Sequence, residues 1–431
     1  MTNITLRTLR IPGYLLSLFV LLIGFITYFI FNETLAANLL AVGAIGIVIL
    51  DSLHDKRIFY LTLFPVYVLV GQLISLLLVE HGWILIELGG IKSYPIGSIL
   101  FLALTIILFH FIISLTVKIS IFKFDRTCID KLSGNSFIYY LPIFYLCLVY
   151  IPVFIYGSAL SVTNGNRVVY NQIISPVFLY LFQIKQFILP IAGLYLLKNK
   201  KIFTIYLFAI LLWNILIGEK ATGIWQSLYP MLLPYVLINY DKIKTKNILI
   251  VLGFCIVFIT SSIVINYIFI EKSGATFIFD RISMQGQLWW YYFNEHVLLA
   301  KTPHELSEEF SSEYSGLLNL MYHSMPAHLF NSYIERGVVL TSGFPAIFLF
   351  YFGQYWLLPT LLSPFLFGLV VYFFSRSLYS GSILSLLISS KLFFSFTVFF
   401  ARGDIATFLD YKLFIYLLII IILQYLPRVK V

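Results

Sequence analysis

Long uninterrupted apolar runs are the feature that most constrains the fold of this chain. A helix that crosses a bilayer needs about 20 predominantly apolar residues, and runs of this kind recur from residue 11 to residue 426. Over the whole chain 60% of the residues are hydrophobic and 11% are charged, whereas a soluble domain carries about 25% charged residues. Backbone groups at membrane depth must be satisfied within each segment, and the runs do not alternate as barrel strands do. The sequence therefore predicts an all-α, polytopic membrane protein.

About twelve spanning helices are predicted, within a single integral membrane domain that covers residues 1–431. The first run shows no cleavage site of a removed signal peptide and is interpreted as a retained helix. A polar segment, residues 271–342, follows the ninth span. Residues 343–374 could form two short spans, or a segment 343–354 that enters the membrane without crossing it, followed by one span. The second arrangement is predicted because it keeps the basic residues at 428 and 430 inside, and irregular backbone at that depth is tolerated where it lines a cavity. The predicted spans are 11–31, 35–50, 58–79, 96–117, 137–157, 176–197, 202–217, 224–239, 248–270, 356–374, 383–400 and 405–426.

The distribution of lysine and arginine predicts the orientation of the helices. With the N-terminus in the cytoplasm, 17 of the 28 basic residues fall in loops on the cytoplasmic side, where the positive-inside rule places them. Both termini are then cytoplasmic, and the 271–342 segment lies on the outer side. These loops account for the net charge of +9, so nucleic-acid binding is not indicated. The three cysteines show neither a disulfide framework nor metal-ligand spacing.

The 271–342 segment differs in charge from the rest of the chain. It contains eight acidic and four basic residues, and a connection of this length is usually functional or disordered. The aromatic run 289–293 argues against disorder, since disordered segments contain few aromatic residues. We expect two or three short helices that lie on the outer surface.

Basic residues predicted on the outer side are few, and they are candidate ligands for an anion. Arginine offers a planar fork of donors that matches phosphate oxygens two at a time. Taken singly, each is equally well explained as a solvated loop charge or a local salt bridge. Two lysines at predicted mid-membrane depth, Lys185 and Lys391, are expected to pair with backbone or hydroxyl groups. The outer candidates, which we expect to converge on one anionic ligand, are Arg167, Lys220, Arg281 with Gln285 on the same helix face, and Arg402 with Asp404.

Other residues of the outer segment are candidates for proton transfer or for contact with a sugar. His323 and Glu295 could act as a general base that takes a proton from a hydroxyl, although a structural role is the alternative for both. Glutamine and tryptophan side chains are typical of carbohydrate sites, and tryptophans also anchor helices among lipid headgroups. These candidate sugar contacts are Gln287, Trp289 and Trp290.

Together these features resemble the Wzy-type polymerases of bacterial surface polysaccharides. The resemblance lies in about twelve spans, both termini inside and one large outer loop late in the sequence. Local similarities are Arg281 with Gln285-Gly286, the boundaries 342–345 and 352–353 of the membrane-entering segment, and the late outer Arg402. The interval 346–351 lacks the acidic residue that often occurs there in such proteins.

The resemblance implies a GT-C-like fold in the bacterial inner membrane, with the 271–342 segment as a periplasmic loop. The implied reaction is attack by a hydroxyl of one lipid-linked repeat unit on the reducing-end carbon of a growing glycan. Undecaprenyl diphosphate leaves, and arginines stabilise its developing charge. The implied partners are undecaprenyl-diphosphate-linked glycans, membrane lipids and a chain-length regulator, without nucleic acid, metal or cofactor. The implied catalytic residues are Arg281, Arg402, His323 and Glu295.

Three alternatives remain open at this stage. An O-antigen ligase would use a similar donor and differ only in its acceptor. A lipid-phosphate-sugar glycosyltransferase would need a catalytic first outer loop, and here residues 32–34 are too few to form one. A transporter or flippase often shows two related halves, which this sequence does not show.

Overall fold

The computed structural model describes residues 11–119, 136–163, 167–219, 221–246, 248, 253, 279–280, 282–335, 340, 342–408 and 411–425. This part of the chain is helical almost throughout. Its helices are α1 (Ile11–Phe29), α2 (Thr34–Ser52), α3 (Lys56–Val79), α4 (Ser98–Ile119), α5 (Ser136–Tyr156), α6 (Ala159–Thr163), α7 (Arg167–Ile173), α8 (Pro176–Gln183), α9 (Lys185–Ala192), α10 (Tyr195–Lys198), α11 (Lys200–Leu216), α12 (Ala221–Asn239), α13 (Gln287–Phe293), α14 (Glu308–Ser311), α15 (Leu317–Ser324), α16 (Ala327–Glu335), α17 (Ala346–Phe352), α18 (Leu357–Ser380), α19 (Ile383–Arg402), α20 (Ile405–Phe408) and α21 (Tyr411–Tyr425). Between α3 and α4, β1 (Ile84–Leu85) pairs with β2 (Ile91–Lys92) in an antiparallel hairpin.

Seven helical stretches in the described residues are long and apolar enough to cross a membrane. The prediction of a multi-pass helical membrane protein is therefore confirmed. The number of twelve spans remains a prediction, since 248–270 lies almost entirely outside the described residues. In addition, α11 and α21 have only 17 and 15 residues.

The predicted span 176–197 coincides with a helical stretch, Pro176–Lys198, that is long and apolar enough to cross a membrane. It is divided into α8, α9 and α10, with breaks at Ile184 and Gly193. A Cβ atom at Gly193 would overlap the carbonyl of Met231 on α12, so glycine allows the two backbones to touch. Small residues serve this purpose at helix contacts within membranes. The first break places Lys185 at the start of α9.

Contacts between loops divide the helix ends into two groups. In one group, the Arg57 guanidinium lies 3.9 Å from the centre of the Tyr240 ring, and Lys56 Nζ donates to Thr245 Oγ1 at 2.7 Å. In the other, Gln72 Nε2 near the end of α3 donates to the Phe344 carbonyl at 2.6 Å. The polar segment and the α17 segment therefore lie together, at the opposite end of α3 from Lys56 and Arg57.

Helix α13 corrects the expectation of helices lying on the surface of the polar segment. Trp289 and Trp290 are 1% and 2% exposed. The Trp289 indole donates to the Ser98 carbonyl at 3.0 Å, and the Trp290 indole donates to the Tyr94 carbonyl at 3.0 Å. The aromatic run 289–293, which was expected on the surface, is instead part of the core. Both tryptophans can be buried there because their indole N–H groups have hydrogen-bond acceptors inside the protein.

Helix α17 lies in the segment predicted to enter the membrane without crossing it. All its residues except Phe352 are buried. Seven residues rise about 10 Å, about a third of the hydrocarbon thickness, and Gly353 ends the helix with a φ of +52°. Helix α18 then begins at Leu357. The placement of residues 343–354 relative to a bilayer stays a prediction.

Candidate functional site

A group of charged side chains forms around Glu219, in the turn between α11 and α12. Its Oε2 accepts from Arg167 Nη1 at 2.7 Å, and its Oε1 accepts from Lys185 Nζ at 3.2 Å. The Glu219 side chain is 3% exposed and that of Lys185 is 11% exposed, whereas that of Arg167 is 42% exposed. The carboxylate is thus buried, with one buried and one accessible cation.

Arg402 extends this group from the end of α19. Its residue is exposed, and it lies within electrostatic range of the Lys185 ammonium. We call Arg167, Lys185, Glu219 and Arg402 the cationic cluster. It comprises three positive charges and one negative charge, which leaves a formal net charge of +2. Buried charges are costly unless they are paired, and the excess of positive charge makes an anion the ligand that this cluster favours.

The backbone around Arg402 is held by two glycines. Gly403 ends α19 with a φ of +67°, in the left-handed region that glycine enters without a steric penalty. A Cβ atom at Gly343 would overlap the Arg402 carbonyl. The preceding Ser342 hydroxyl donates to Gln285 Oε1 at 3.3 Å. Gln285 and Arg402, both predicted for the site, therefore contact consecutive residues, Ser342 and Gly343.

Two other predicted anion ligands, Arg281 and Lys220, lie outside the described residues. Both are sequence neighbours of described parts of the site, because Lys220 follows Glu219 and Arg281 precedes the Gln285 region. Their roles remain predictions.

Residues 402–406 connect the cationic cluster to the polar segment. Gly316 packs against Asp404, since a Cβ atom at this glycine would lie 2.7 Å from the Asp404 Cα. The Ala406 amide donates to Glu309 Oε1 at 3.1 Å, and Tyr351 Oη donates to Glu309 Oε2 at 2.7 Å. The buried Glu309 carboxylate thus joins α14, α17 and α20.

A cavity of about 330 Å³ opens in the polar segment. Its walls include both residues predicted as general bases, and we call it the histidine cavity. The Glu295 carboxylate pairs with Lys301 at its edge. The lining residues include Tyr291, Glu295, His296, Lys301, His304 and His323.

Three side chains approach one another at the histidine cavity. Glu308 Oε2 lies 3.3 Å from His304 Nδ1 and 3.7 Å from His323 Nε2. The two imidazole centres are 4.3 Å apart. The His304 ring stacks on Phe350 of α17 with 4.1 Å between centres, and its amide donates to the Phe350 carbonyl at 3.0 Å. Helix α17 therefore positions the histidine.

The electrostatic surroundings favour neutral imidazoles in the cavity. Partial burial lowers the pKa of His304, the nearby Glu308 opposes this, and His296 adds to it. Partial burial also lowers the pKa of His323, with a further contribution from His304 and opposition from Glu308. The lowered pKa values favour the neutral imidazole, the form that accepts a proton or binds a metal.

The predicted sugar contacts do not line the cavity. Gln287 is fully buried and its side-chain amide donates to the buried Glu87 carboxylate. Trp289 and Trp290 lie in the core, as described above. These side chains position α13, and their burial removes them from the candidate site.

The sequence analysis did not predict the roles of four residues at the site. Glu219 reads as part of a solvated turn, and Lys185 was expected to pair with backbone or hydroxyl groups rather than with a carboxylate. His304 and Glu308 are four residues apart, which places them on one face if the segment is helical, and this signal was available. Their approach to His323 depends on tertiary packing and was not.

Comparison with known proteins assigns no activity. Residues 311–417 match a family of unknown function, DUF6418, and this region contains His323, α17 and Arg402. No curated protein and no solved structure matches the chain significantly.

Proposed function

We propose that this protein is a glycosyltransferase that polymerises undecaprenyl-diphosphate-linked oligosaccharide repeat units. The cationic cluster is the observation that carries the proposal. It lies in a multi-pass helical protein, at the ends of apolar helices, where a lipid-linked anion would meet the chain. A diphosphate carries charge that Arg167, Lys185 and Arg402 complement. The Wzy-like layout of the sequence supports the same conclusion.

In this proposal the cationic cluster binds the leaving group. As the bond between the reducing-end carbon and the diphosphate oxygen breaks, its electron pair passes to the diphosphate. Donors that are already in place stabilise that charge without reorganisation. Arg402 is accessible and can present two parallel N–H donors. Arg167 and Lys185 are held by Glu219, so their heads are fixed before the ligand arrives.

The histidine cavity supplies the acceptor side of the reaction. The attacking hydroxyl must lose its proton as the new bond to the reducing-end carbon forms. Glu295 and His323 both line the cavity, within the polar segment. Residues 402–406 contact Gly316 and Glu309, which belong to the same polar segment as the cavity, and these contacts support an acceptor and a leaving group bound at one end of the bundle. We further propose that this end of the bundle faces the periplasm and that both termini are cytoplasmic, as the basic residues predict.

The test is the substitution Arg402→Lys in cells that depend on this protein for polymer. Lysine keeps the charge and loses the planar fork. Loss of one charge-assisted contact costs about 1.5–3 kcal/mol, roughly 10- to 100-fold in rate. We expect single repeat units to accumulate on the lipid carrier. Accumulation of full-length polymer on the carrier would instead indicate a ligase, and trapping of units on the cytoplasmic face would indicate a flippase.

The matched control is Arg376→Lys, at the C-terminal end of α18. Arg376 Nη2 donates to the Gln424 carbonyl at 2.9 Å, a contact that a lysine ammonium can replace. Polymer length should be normal in this variant. Normal-length polymer from Arg402→Lys, at protein levels equal to the control, would contradict the proposed role of the cationic cluster.

A further inference from the structure

We propose that His304, Glu308 and His323 bind a zinc ion. The site does not depend on the proposed polymerase activity. One atom of each side chain is available as a ligand, and these three atoms all lie within 4.8 Å of one another. The set joins α14 and α15 to the loop that precedes α14. Two imidazoles and one carboxylate form a ligand set found in catalytic zinc sites.

The two separations from the Glu308 carboxylate are close to those around a tetrahedral ion. Zinc bonds to nitrogen and carboxylate oxygen are about 2.0–2.2 Å, so two ligands at a tetrahedral angle lie about 3.3–3.6 Å apart. The observed separations from Glu308 Oε2 are 3.3 Å to His304 and 3.7 Å to His323. The pairs with Glu308 are thus within a few tenths of an ångström of the ideal spacing, and all three ligand atoms lie within 4.8 Å of one another.

Hydrogen bonding alone does not account for this arrangement. Hydrogen bonds between nitrogen and oxygen fall at 2.7–3.2 Å, and the His323–Glu308 separation of 3.7 Å is longer. Both histidines nevertheless face the same carboxylate oxygen. An ion between the three atoms explains why they surround a common point.

The surroundings supply rigidity and access. His304 is held by its stacking on Phe350 and by its amide hydrogen bond to the same residue, so part of the ordering is complete before the ion binds. The cavity of about 330 Å³ borders both histidines. A zinc site with three protein ligands that opens to a cavity keeps its fourth position for water or substrate, as catalytic sites do.

The ion would have a definite place in the proposed reaction. Bound zinc lowers the pKa of a water or hydroxyl ligand, which would prepare the acceptor hydroxyl for attack. Because His323 would then be a ligand, Glu295 would remain as the general base at the cavity edge. This role rests on the polymerase proposal, whereas the site itself does not.

The test is zinc binding to the purified full-length protein in detergent, after chelation and removal of the chelator. Isothermal titration should show one ion per chain, and Co²⁺ should give the visible absorption of a tetrahedral complex. Glu308→Gln and His323→Ala should each weaken binding by more than the roughly 10- to 100-fold that follows loss of a hydrogen-bond partner of a metal ligand. Both residues are partly exposed, so the fold should tolerate the changes.

His328→Ala is the matched control. His328 is an exposed histidine of α16, in the same segment and outside the three-residue group. This variant should bind zinc like the unchanged protein. Gel filtration and the melting temperature of the metal-free variants verify the fold. The proposal is overturned if the unchanged protein takes up no zinc, or if Glu308→Gln and His323→Ala bind it as tightly as His328→Ala. Neither readout involves glycan synthesis, so failure here leaves the polymerase proposal intact.

Discussion

The cationic cluster predicts a defined order of stability losses when its ion pairs are broken one at a time. Glu219→Gln keeps the shape of the side chain and removes its charge, so Lys185 loses its carboxylate partner. Breaking a buried ion pair by removing one member costs about 3–5 kcal/mol, because the remaining charge stays buried. The Glu219 and Lys185 side chains are both nearly inaccessible, so this range applies to their pair.

The same geometry predicts smaller losses for the two cations. Arg167→Gln breaks a pair in which the arginine is 42% exposed, and exposed pairs contribute about 0–1 kcal/mol. Lys185→Met leaves Glu219 paired with Arg167 at 2.7 Å, so no buried charge is abandoned. We therefore expect Glu219→Gln to be the most destabilising of the three. The double variant Lys185→Met/Glu219→Gln should recover most of the stability that Glu219→Gln loses alone, because neither buried charge remains.

Equilibrium unfolding in mixed micelles measures these free energies. The unfolded fraction is followed by tryptophan fluorescence as the concentration of denaturing detergent is increased. The three single variants, the double variant and the unchanged protein are compared in one lipid-detergent mixture. A double variant whose loss equals the sum of the two single losses would refute the reasoning, since additive losses show that the two residues do not interact. Equal losses in Glu219→Gln and Arg167→Gln would refute the assignment of burial.

Two further predictions concern the packing that supports the site. Trp289→Phe removes the indole hydrogen bond to the first carbonyl of α4 and should cost about 1–3 kcal/mol in the same unfolding assay. The control Trp225→Phe removes a buried indole N–H without a partner among the described residues and should cost less. Equal losses of stability in the two variants would contradict a role for the hydrogen bond. Gly343→Ala introduces a methyl group that overlaps a carbonyl at the end of α19 and should cost about 1–3 kcal/mol or more, measured as a lower melting temperature. Gly46→Ala adds the same group on α2 where nothing lies within 4 Å, and a fall in melting temperature as large as that of Gly343→Ala would show that the overlap is relieved without cost.

The positions of the long helices could be predicted because a bilayer imposes one simple length rule. An apolar run of about 20 residues has few other stable environments, and α3, α4, α18 and α19 all lie where such runs occur. The division of 176–197 into three helices followed a weaker signal. Pro190 and Gly193 both lie in that run, and the structure shows that the missing Cβ of Gly193 permits the close approach of the Met231 carbonyl.

The candidate site was harder to predict because its residues meet only in three dimensions. The scarcity of basic residues on the predicted outer side drew attention to Arg167 and Arg402. The structure pairs Arg167 with Glu219, and the role of both arginines in anion binding stays a prediction. Glu219 was not recognised, because a carboxylate flanked by glycine and lysine looks like a solvated turn. Trp289 gave the opposite error. An exposed tryptophan anchor and a core tryptophan have the same local sequence, and the difference lies in whether a carbonyl is available to the buried N–H.

Helix α17 fixes the distance between the cationic cluster and the histidine cavity. Its N-terminal side, at Gly343, rests on the carbonyl of Arg402, and its C-terminal side, at Phe350, holds the ring and amide of His304. Residues 346–350 of α17 lie between these two contacts and rise about 7 Å, and a helix does not stretch as a loop does. In the proposed reaction α17 is therefore a spacer of set length between diphosphate and acceptor, and the size of the sugar held between them is limited by backbone geometry rather than by side chains.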